Sequence, residues 1–369
     1  MKGVAWILLA VVLSGCTGPT PTVPASTWSR LPNSYAQHFQ VLANGAERRV
    51  VVFGPGGSAD TVAVYAFESD TASGLKGGKA LVRLPRLERV AVFSTTHLPF
   101  LSALDRTSTL VAIANLKRVR DEAAQRRIEA GSVREIATAD GLDREQLLVS
   151  QAQALFDYPF GRASIGGANT GATTIAVTEY LEEHPLGRAE WVRFFGLLMN
   201  ASARADSVFA AIERRYLTLR GMNAKLAHRP QVFFGSAWQG QWHVPPGNSY
   251  MAQLIADAGG EYCFADRNAA GNIPLDLETV VNEARTAEHF GVVLAKGSRV
   301  GVQELAGGDK RIASLEAVSK GGFYLDSERS DVFGKALLEP DIMLMDLRDI
   351  FHPAVRGSRE PVYCFPIAQ

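Results

Sequence analysis

The sequence predicts an α/β protein in which two α/β lobes are joined by a single long α-helix. Three observations predict it. Short β-branched segments recur through the first half: Arg49–Phe53, Val62–Phe67, Arg89–Ser94, Leu110–Ala114 and Ile175–Glu179. They are bounded by Gly, Asp, Thr or Pro; the first pair reads as a hairpin, and the later ones are spaced by polar or helical stretches as in an α/β sheet. The period then changes. From Arg188 to about Leu219 there is no Pro, and Trp191, Phe194, Phe195, Leu198, Ala201, Ala205, Val208, Phe209, Ile212 and Tyr216 recur at steps of three and four. That is one apolar stripe on a helix of roughly 30 residues, about 45 Å long. Strand patterns return at Gln231–Ser236, Phe290–Ala295 and Gly322–Asp326, alternating with helical patterns at Met251–Ala258 and Leu277–Ala287.

From the N-terminus onward, Lys2 is followed by an apolar run, Val4 to Leu13, which ends in Leu13-Ser14-Gly15-Cys16. The run is too short to span a bilayer of roughly 30 Å and has the length of a signal-peptide core. Its ending resembles the bacterial lipobox. The resemblance implies that residues 1–16 are a signal peptide, that the Cys16 thiol is lipidated, and that the chain is exported and anchored at the periplasmic or extracellular face of a bacterial membrane. Residues 17–26, rich in Thr and Pro and uncharged, suit an extended tether. Residues 17–44 are read as tether plus N-terminal extension. No later stretch has the length and apolarity of a membrane-spanning helix. Basic and acidic residues balance at 38 each, which argues against a nucleic-acid partner held by bulk positive charge. Besides Cys16, Cys263 and Cys364 form an even pair: a disulfide in an oxidising compartment, or two buried free thiols.

Catalytic motifs are not found. Gly56-Gly57-Ser58 and Ser164-Ile165-Gly166 lack the flanking glycines of a nucleophile elbow. The run Gly74 to Ala80 lacks the spacing and the Ser/Thr of a phosphate-binding loop and reads as a solvated loop. Seven scattered histidines include no His-Glu-x-x-His. None of these stretches demands an enzyme or a resident metal or cofactor; a binding protein, not an enzyme, is what the family resemblance carried by the following residues implies.

One stretch is loaded with aromatics. Ala237 to Tyr250 holds Trp238, Trp242, His243 and Tyr250 after a strand and before a helix that ends in Asp257-Ala258-Gly259-Gly260. Open α/β sheets bind ligands beyond the carboxyl ends of their strands, and aromatics placed there suit a bulky ligand. The pattern W-x-x-x-W-x-x-P-x-G-x-S-Y followed by a helix and D-A-G-G resembles the substrate-binding lipoproteins of ABC importers for ferric siderophores, haem and cobalamin. In the same order, Arg89–His97 with Leu104 resembles the family's first strand and ligand loop, and Glu179–Trp191 its entry into the connecting helix. Pro340-Asp341, Asp346 and Phe351-His352-Pro353 resemble its closing helix. The chain departs at Ser150–Phe156, where members carry Lys-Pro-Asp-Leu-Val.

The resemblance spans roughly residues 45–356. It implies the class III periplasmic binding protein type, with a rigid linking helix and the ligand between the lobes. The divisions expected are a lobe at 45–186, the linking helix at 187–222 and a second lobe at 223–369. The implied function is capture of an iron-siderophore, corrinoid or haem-like chelate by a monomer that delivers it to an ABC permease. Thr96 and His97 (more weakly Tyr158 and Phe160) would wall the cleft from one lobe, with Trp238, Trp242, His243 and Tyr250 from the other. Glu145 and Glu278, each in a Leu-Asp-x-Glu segment opening a helix, would dock on the permease. Cobalamin-binding members carry a bridge comparable to Cys263–Cys364. The rival reading is a receptor for a bare transition-metal ion, held by His97, His243 and an acidic residue.

Overall fold

The computed structural model describes residues 28–67, 80–138, 141–159 and 170–367. The signal segment with Cys16, the tether to residue 27, Gly74–Lys79 and Phe160 lie outside the described residues.

The N-terminal strands are β1 (Ser29–Leu31), β2 (Phe39–Asn44), β3 (Glu47–Phe53), β4 (Thr61–Phe67) and β5 (Leu81–Leu84), adjacent in that order in one sheet. β3 and β4 pair antiparallel, as the hairpin reading expected, with a register shift at Val52/Phe53. Residues 28–44, grouped with the tether in the sequence reading, are folded. Phe39 is 1% exposed, its ring 5.0 Å from that of Trp191. The backbone of the same stretch is gripped by two buried carboxylates. Glu190 accepts the amides of Ser34, Tyr35 and Ala36 at 2.8, 2.7 and 2.8 Å. Glu182 accepts those of Gln37 and His38 and the Trp191 indole N–H.

The first lobe holds β6 (Val90–Val92), α1 (Leu98–Ala103), β7 (Leu110–Ile113), α2 (Glu122–Glu129) and β8 (Arg134–Glu135). The short pair β9 (Ala137–Thr138) and β10 (Gly141–Leu142) follows, then α3 (Arg144–Ser150), β11 (Ala154–Asp157) and β12 (Thr173–Ala176). Its main sheet runs β12-β11-β6-β7-β8, wholly parallel. Buried on both faces, such strands are apolar throughout: Val90–Val92 and Leu110–Ile113 are buried at every position.

The stripe read as one 30-residue helix is two helices, α4 (Pro185–Leu198) and α5 (Ser202–Asn223). Asn200, at φ 51°, turns the chain through the left-handed region between them. The two pack back to back. Arg193 bonds Asp206 at 2.9 Å and lies over Phe209. Gly196 permits the approach, since a Cβ there would sit 2.3 Å from that of Ala205. The link between lobes is still one helix. α5, about 33 Å long at 1.5 Å per residue, starts against the first lobe, where Arg204 pairs with Asp105 at 2.8 Å. It ends against the second, where Tyr216 Oη donates to Asp257 at 2.6 Å and Asn223 donates to the Asp257 carbonyl.

The second lobe comprises β13 (Gln231–Phe234), β14 (Ser236–Trp238), β15 (Gln241–Val244), α6 (Tyr250–Asp257), β16 (Glu261–Tyr262), β17 (Ile273–Leu275), α7 (Leu277–Ala284) and β18 (His289–Leu294). It continues with α8 (Val302–Leu305), α9 (Lys310–Ala313), α10 (Glu316–Gly321), β19 (Gly322–Asp326), α11 (Pro340–Phe351) and β20 (Cys364–Pro366). The main sheet runs β16-β13-β18-β19-β20, with only β20 antiparallel, and β14-β15-β17 form a small antiparallel sheet. This topology corrects the disulfide expectation. Cys263 follows β16 at one edge and Cys364 lies in β20 at the other, and both are free thiols. Four strand spacings of about 4.8 Å part them by roughly 19 Å, where a bridge needs Cα atoms within about 7 Å.

Candidate functional site

The carboxyl ends of the parallel strands in the two lobes meet. The contacts between them join residues in the segments that follow such ends. Arg188, after β12, lies 4.1 Å from the Tyr250 ring at the start of α6. Asn248 donates to Glu183. Arg120, beyond β7, donates to the Ser327 carbonyl at 2.9 Å and pairs with Glu328 at 2.8 Å, both just past β19.

On the first-lobe side, the Ser94 side chain caps the turn after β6, and Thr96 Oγ1 donates to Glu179 at 2.9 Å. His97, expected in the cleft wall, is instead sealed in the lobe: it is 0% exposed, between Phe156 and Phe195. The tight turn that presents Thr96 aims the next side chain inward. Both His97 ring nitrogens and Glu179 Oε2 are buried without a hydrogen-bond partner among the described residues, and His97 Nε2 lies 4.0 Å from Glu179 Oε2. Burial lowers His97 to about 3, against a smaller opposing pull from Asp157. Burial raises Glu179 to about 7, opposed by the Thr96 bond and the Arg188 charge. Both groups are therefore pushed toward their neutral forms, as expected where burial penalises charge. Tyr158 packs edge-on against Tyr180 at 5.1 Å.

On the second-lobe side, the β14–β15 hairpin turns through Gln239 (φ 50°) and Gly240 (φ 80°), the double positive φ of a type I′ connection. Trp238, paired with Gln241 in the register, is 62% exposed at the tip. His243 lies edge-on to it at 5.6 Å. Trp242 belongs to the other face. It is 4% exposed and packs against Phe233 and Phe290 at 5.9 and 5.5 Å, so the expected wall residue is a core residue. Tyr250 is partly buried, its hydroxyl 3.7 Å from Met343 Sδ.

The strand ends thus carry Thr96, Tyr158, Trp238, His243 and Tyr250 of the expected set. They also carry Glu179, Tyr180 and Arg188, which in the sequence stand out only as part of the family-like stretch Glu179–Trp191. Among the described residues no group of three or more His, Cys, Asp or Glu converges to hold a metal ion. His97 and His243, the rival reading's ligands, have separate surroundings in different lobes. A concavity of about 690 Å³, lined by Arg48, Phe67, Leu87, Arg106 and Met199 among others, lies at the opposite, amino-terminal ends of the first-lobe strands.

Glu145 and Glu278 are exposed in the first turns of α3 and α7. Asp143 and Asp276 cap those helices, accepting from Gln146 and Thr279 at 2.9 and 2.8 Å. α3 leads into β11 and α7 into β18. A helix that feeds a strand of a parallel sheet runs antiparallel to it, so both helices begin at the cleft end of their lobes.

Two α/β lobes joined by one helix, with their strand ends facing, define the fold of the class III periplasmic binding proteins. The chain belongs to the periplasmic binding protein family, whose model matches residues 90–328; β1–β5 precede the matched span. The chain is 26% identical over 286 residues to an uncharacterized lipoprotein of Methanocaldococcus jannaschii, covering 74% of this chain and 67% of that one. It spans about half the length of two further relatives from the same organism. The fold is that of a periplasmic haem-binding protein from Pseudomonas aeruginosa (TM-score 0.59, 15% identity, 77% of this chain and 99% of that one). An Fe3+-hydroxamate transport protein from Saccharomonospora viridis shares it as well (TM-score 0.54, 16% identity, 71% and 93%).

Proposed function

We propose that this chain is the substrate-binding component of an ABC importer, exported and held to a membrane by lipid on Cys16. It captures a bulky iron-siderophore, haem-like or corrinoid chelate and presents it to a permease. The observation that carries this reading is the meeting of the two sets of strand ends with Thr96, Tyr158, Trp238, His243 and Tyr250 upon them. Aromatic faces with polar tips suit a large, flat or domed chelate. The haem and Fe3+-hydroxamate proteins that share the fold support that ligand range. Binding would need no covalent step, and no helix among the described residues is long and apolar enough to cross a membrane, consistent with a separate permease. Glu145 and Glu278, one per lobe at the cleft end, are the docking carboxylates in this reading.

Tryptophan fluorescence titration against haem, cyanocobalamin and several ferric siderophores tests the proposal. Trp238, exposed on the hairpin tip, is the reporter. Saturable quenching by one chelate, lost in W238F, is expected. Absence of saturable binding by every chelate in the panel refutes it.

A further inference from the structure

We infer that Glu179 is a positioning residue behind the ligand face: through Thr96 its carboxyl sets which way the first-lobe hydroxyls point, so that a ligand oxygen is bound together with one proton. The inference rests on the binding role proposed above.

The hydrogen-bond chain is short. Ser94 Oγ lies 2.9 Å from Thr96 Oγ1 and accepts the Thr96 amide at 3.3 Å. Thr96 Oγ1 donates to Glu179 Oε1 at 2.9 Å. Ser94 and Thr96 are half-buried in the turn after β6, and Glu179 is buried just past β12. With the Thr96 proton spent on the carboxylate, the Ser94 hydroxyl turns toward Thr96, and the pair presents only lone pairs outward.

That carboxylate is poorly held. Four other buried acids are saturated with donors. Glu190 accepts from four groups and Asp346 from four. Glu182 and Asp326 accept from three each. Glu179 takes one hydroxyl, with a weaker pull from the amides of its own turn, and its Oε2 has no hydrogen-bond partner among the described residues. The charged and titratable groups around it do not make up the deficit. Arg188 on α4 favours the ionised form but gives its bonds to the carbonyls of Glu182 and Tyr180. His97, 4.0 Å away, is kept neutral by burial against the smaller pull of Asp157 at the end of β11. From the second lobe, Tyr250 covers Arg188 and, raised to about 12 by burial, carries no charge. Burial of Glu179 prevails over all of these, and at about 7 both of its forms are populated near neutral pH.

A proton on Oε1 reverses the chain. Glu179 then donates to Thr96 Oγ1, and the Thr96 proton is free to turn toward the cleft. A ligand that presents a carbonyl, hydroxamate or carboxylate oxygen at Thr96 therefore selects the protonated form and draws one proton from solvent. Its binding raises the Glu179 pKa, so affinity is full below about 7 and falls as pH rises past it.

Titration calorimetry of the mature chain in two buffers of different ionisation enthalpy counts that proton, with haem, cyanocobalamin and a ferric trihydroxamate as probes. Expected for the probe that binds is uptake of roughly half a proton at about pH 7.5 and almost none at about pH 5.5. Its affinity should fall about fivefold or more from about pH 6 to about pH 8.5. E179Q, whose amide does not titrate, should lose both the uptake and the pH dependence. T96V should lose the uptake with Glu179 still in place, which keeps the inference testable if one variant fails to fold. Proton release, no proton exchange, or uptake that persists in folded E179Q or T96V overturns the inference and leaves the binding role standing. No binding to any of the three probes overturns the binding role itself, and this inference with it.

Discussion

Replacing Glu190 by Gln tests how the N-terminal strands are held. The carboxylate is fully buried. It accepts three backbone amides at 2.7 to 2.8 Å and a fourth bond from Arg193 Nη1 at 2.7 Å. An isosteric amide keeps one oxygen and turns the other into a donor. If the oxygen faces Tyr35 and Ala36, those two bonds drop from charge-assisted to neutral, a loss of about 1 kcal/mol each. The new NH2 then opposes the Ser34 amide and Arg193, leaving donors unsatisfied at about 1–3 kcal/mol apiece, less for Arg193 because it is partly exposed. The sum is about 3–5 kcal/mol. Amide hydrogen exchange reads this segment directly. Exchange at Ser34, Tyr35 and Ala36 should accelerate by two to three orders of magnitude, about 1.4 kcal/mol per decade. Gln37 and His38, held by Glu182, should change less. Acceleration below tenfold at Tyr35 and Ala36 would refute the reasoning.

The two tryptophans should separate cleanly. W242A should cost about 3–5 kcal/mol of stability, as for other buried aromatics, whereas W238A should stay within about 0.5 kcal/mol in urea unfolding and weaken ligand binding at least tenfold; the reverse pattern would return Trp242 to the cleft. Because burial raises Glu179 from 4.5 to about 7, the native state resists its ionisation and loses stability as pH rises through that window. E179Q should therefore gain on the wild type by on the order of 3 kcal/mol between pH 4.5 and 8, and a flat difference would refute it. His97, lowered to about 3, withdraws stability as pH falls below 6.5 in both proteins, so it largely cancels in that comparison. Reversing both docking charges, E145K/E278K, should abolish uptake by cells while leaving ligand affinity within twofold; normal uptake would reduce both glutamates to first-turn helix residues.

What could be read in the sequence was what local pattern encodes. The β3–β4 hairpin, the strand Gly322–Asp326 and the caps Asp143 and Asp276 follow from β-branched runs and from Asp before a helical period. The α4–α5 break did not show because both helices bury apolar residues at helical spacing. Only Gly196 and the left-handed Asn200 mark the reversal, and neither forbids a helix. Trp238 and Trp242 are four apart, which on one strand places them on the same face. The turn at Gln239–Gly240 reverses the chain between them and sends them to opposite faces. The clamps at Glu182 and Glu190 were illegible because their partners lie more than 140 positions away.

The Glu182 and Glu190 clamps have an evolutionary corollary. Across residues 34–38 both carboxylates grip main-chain amides, so they are blind to which side chains occupy that stretch. What limits the side chains there is packing instead, at Tyr35, whose hydroxyl donates to Glu213 and whose ring stacks on His184, and at the buried Ala36. The one residue the clamp itself bars there is proline, which has no amide hydrogen to give.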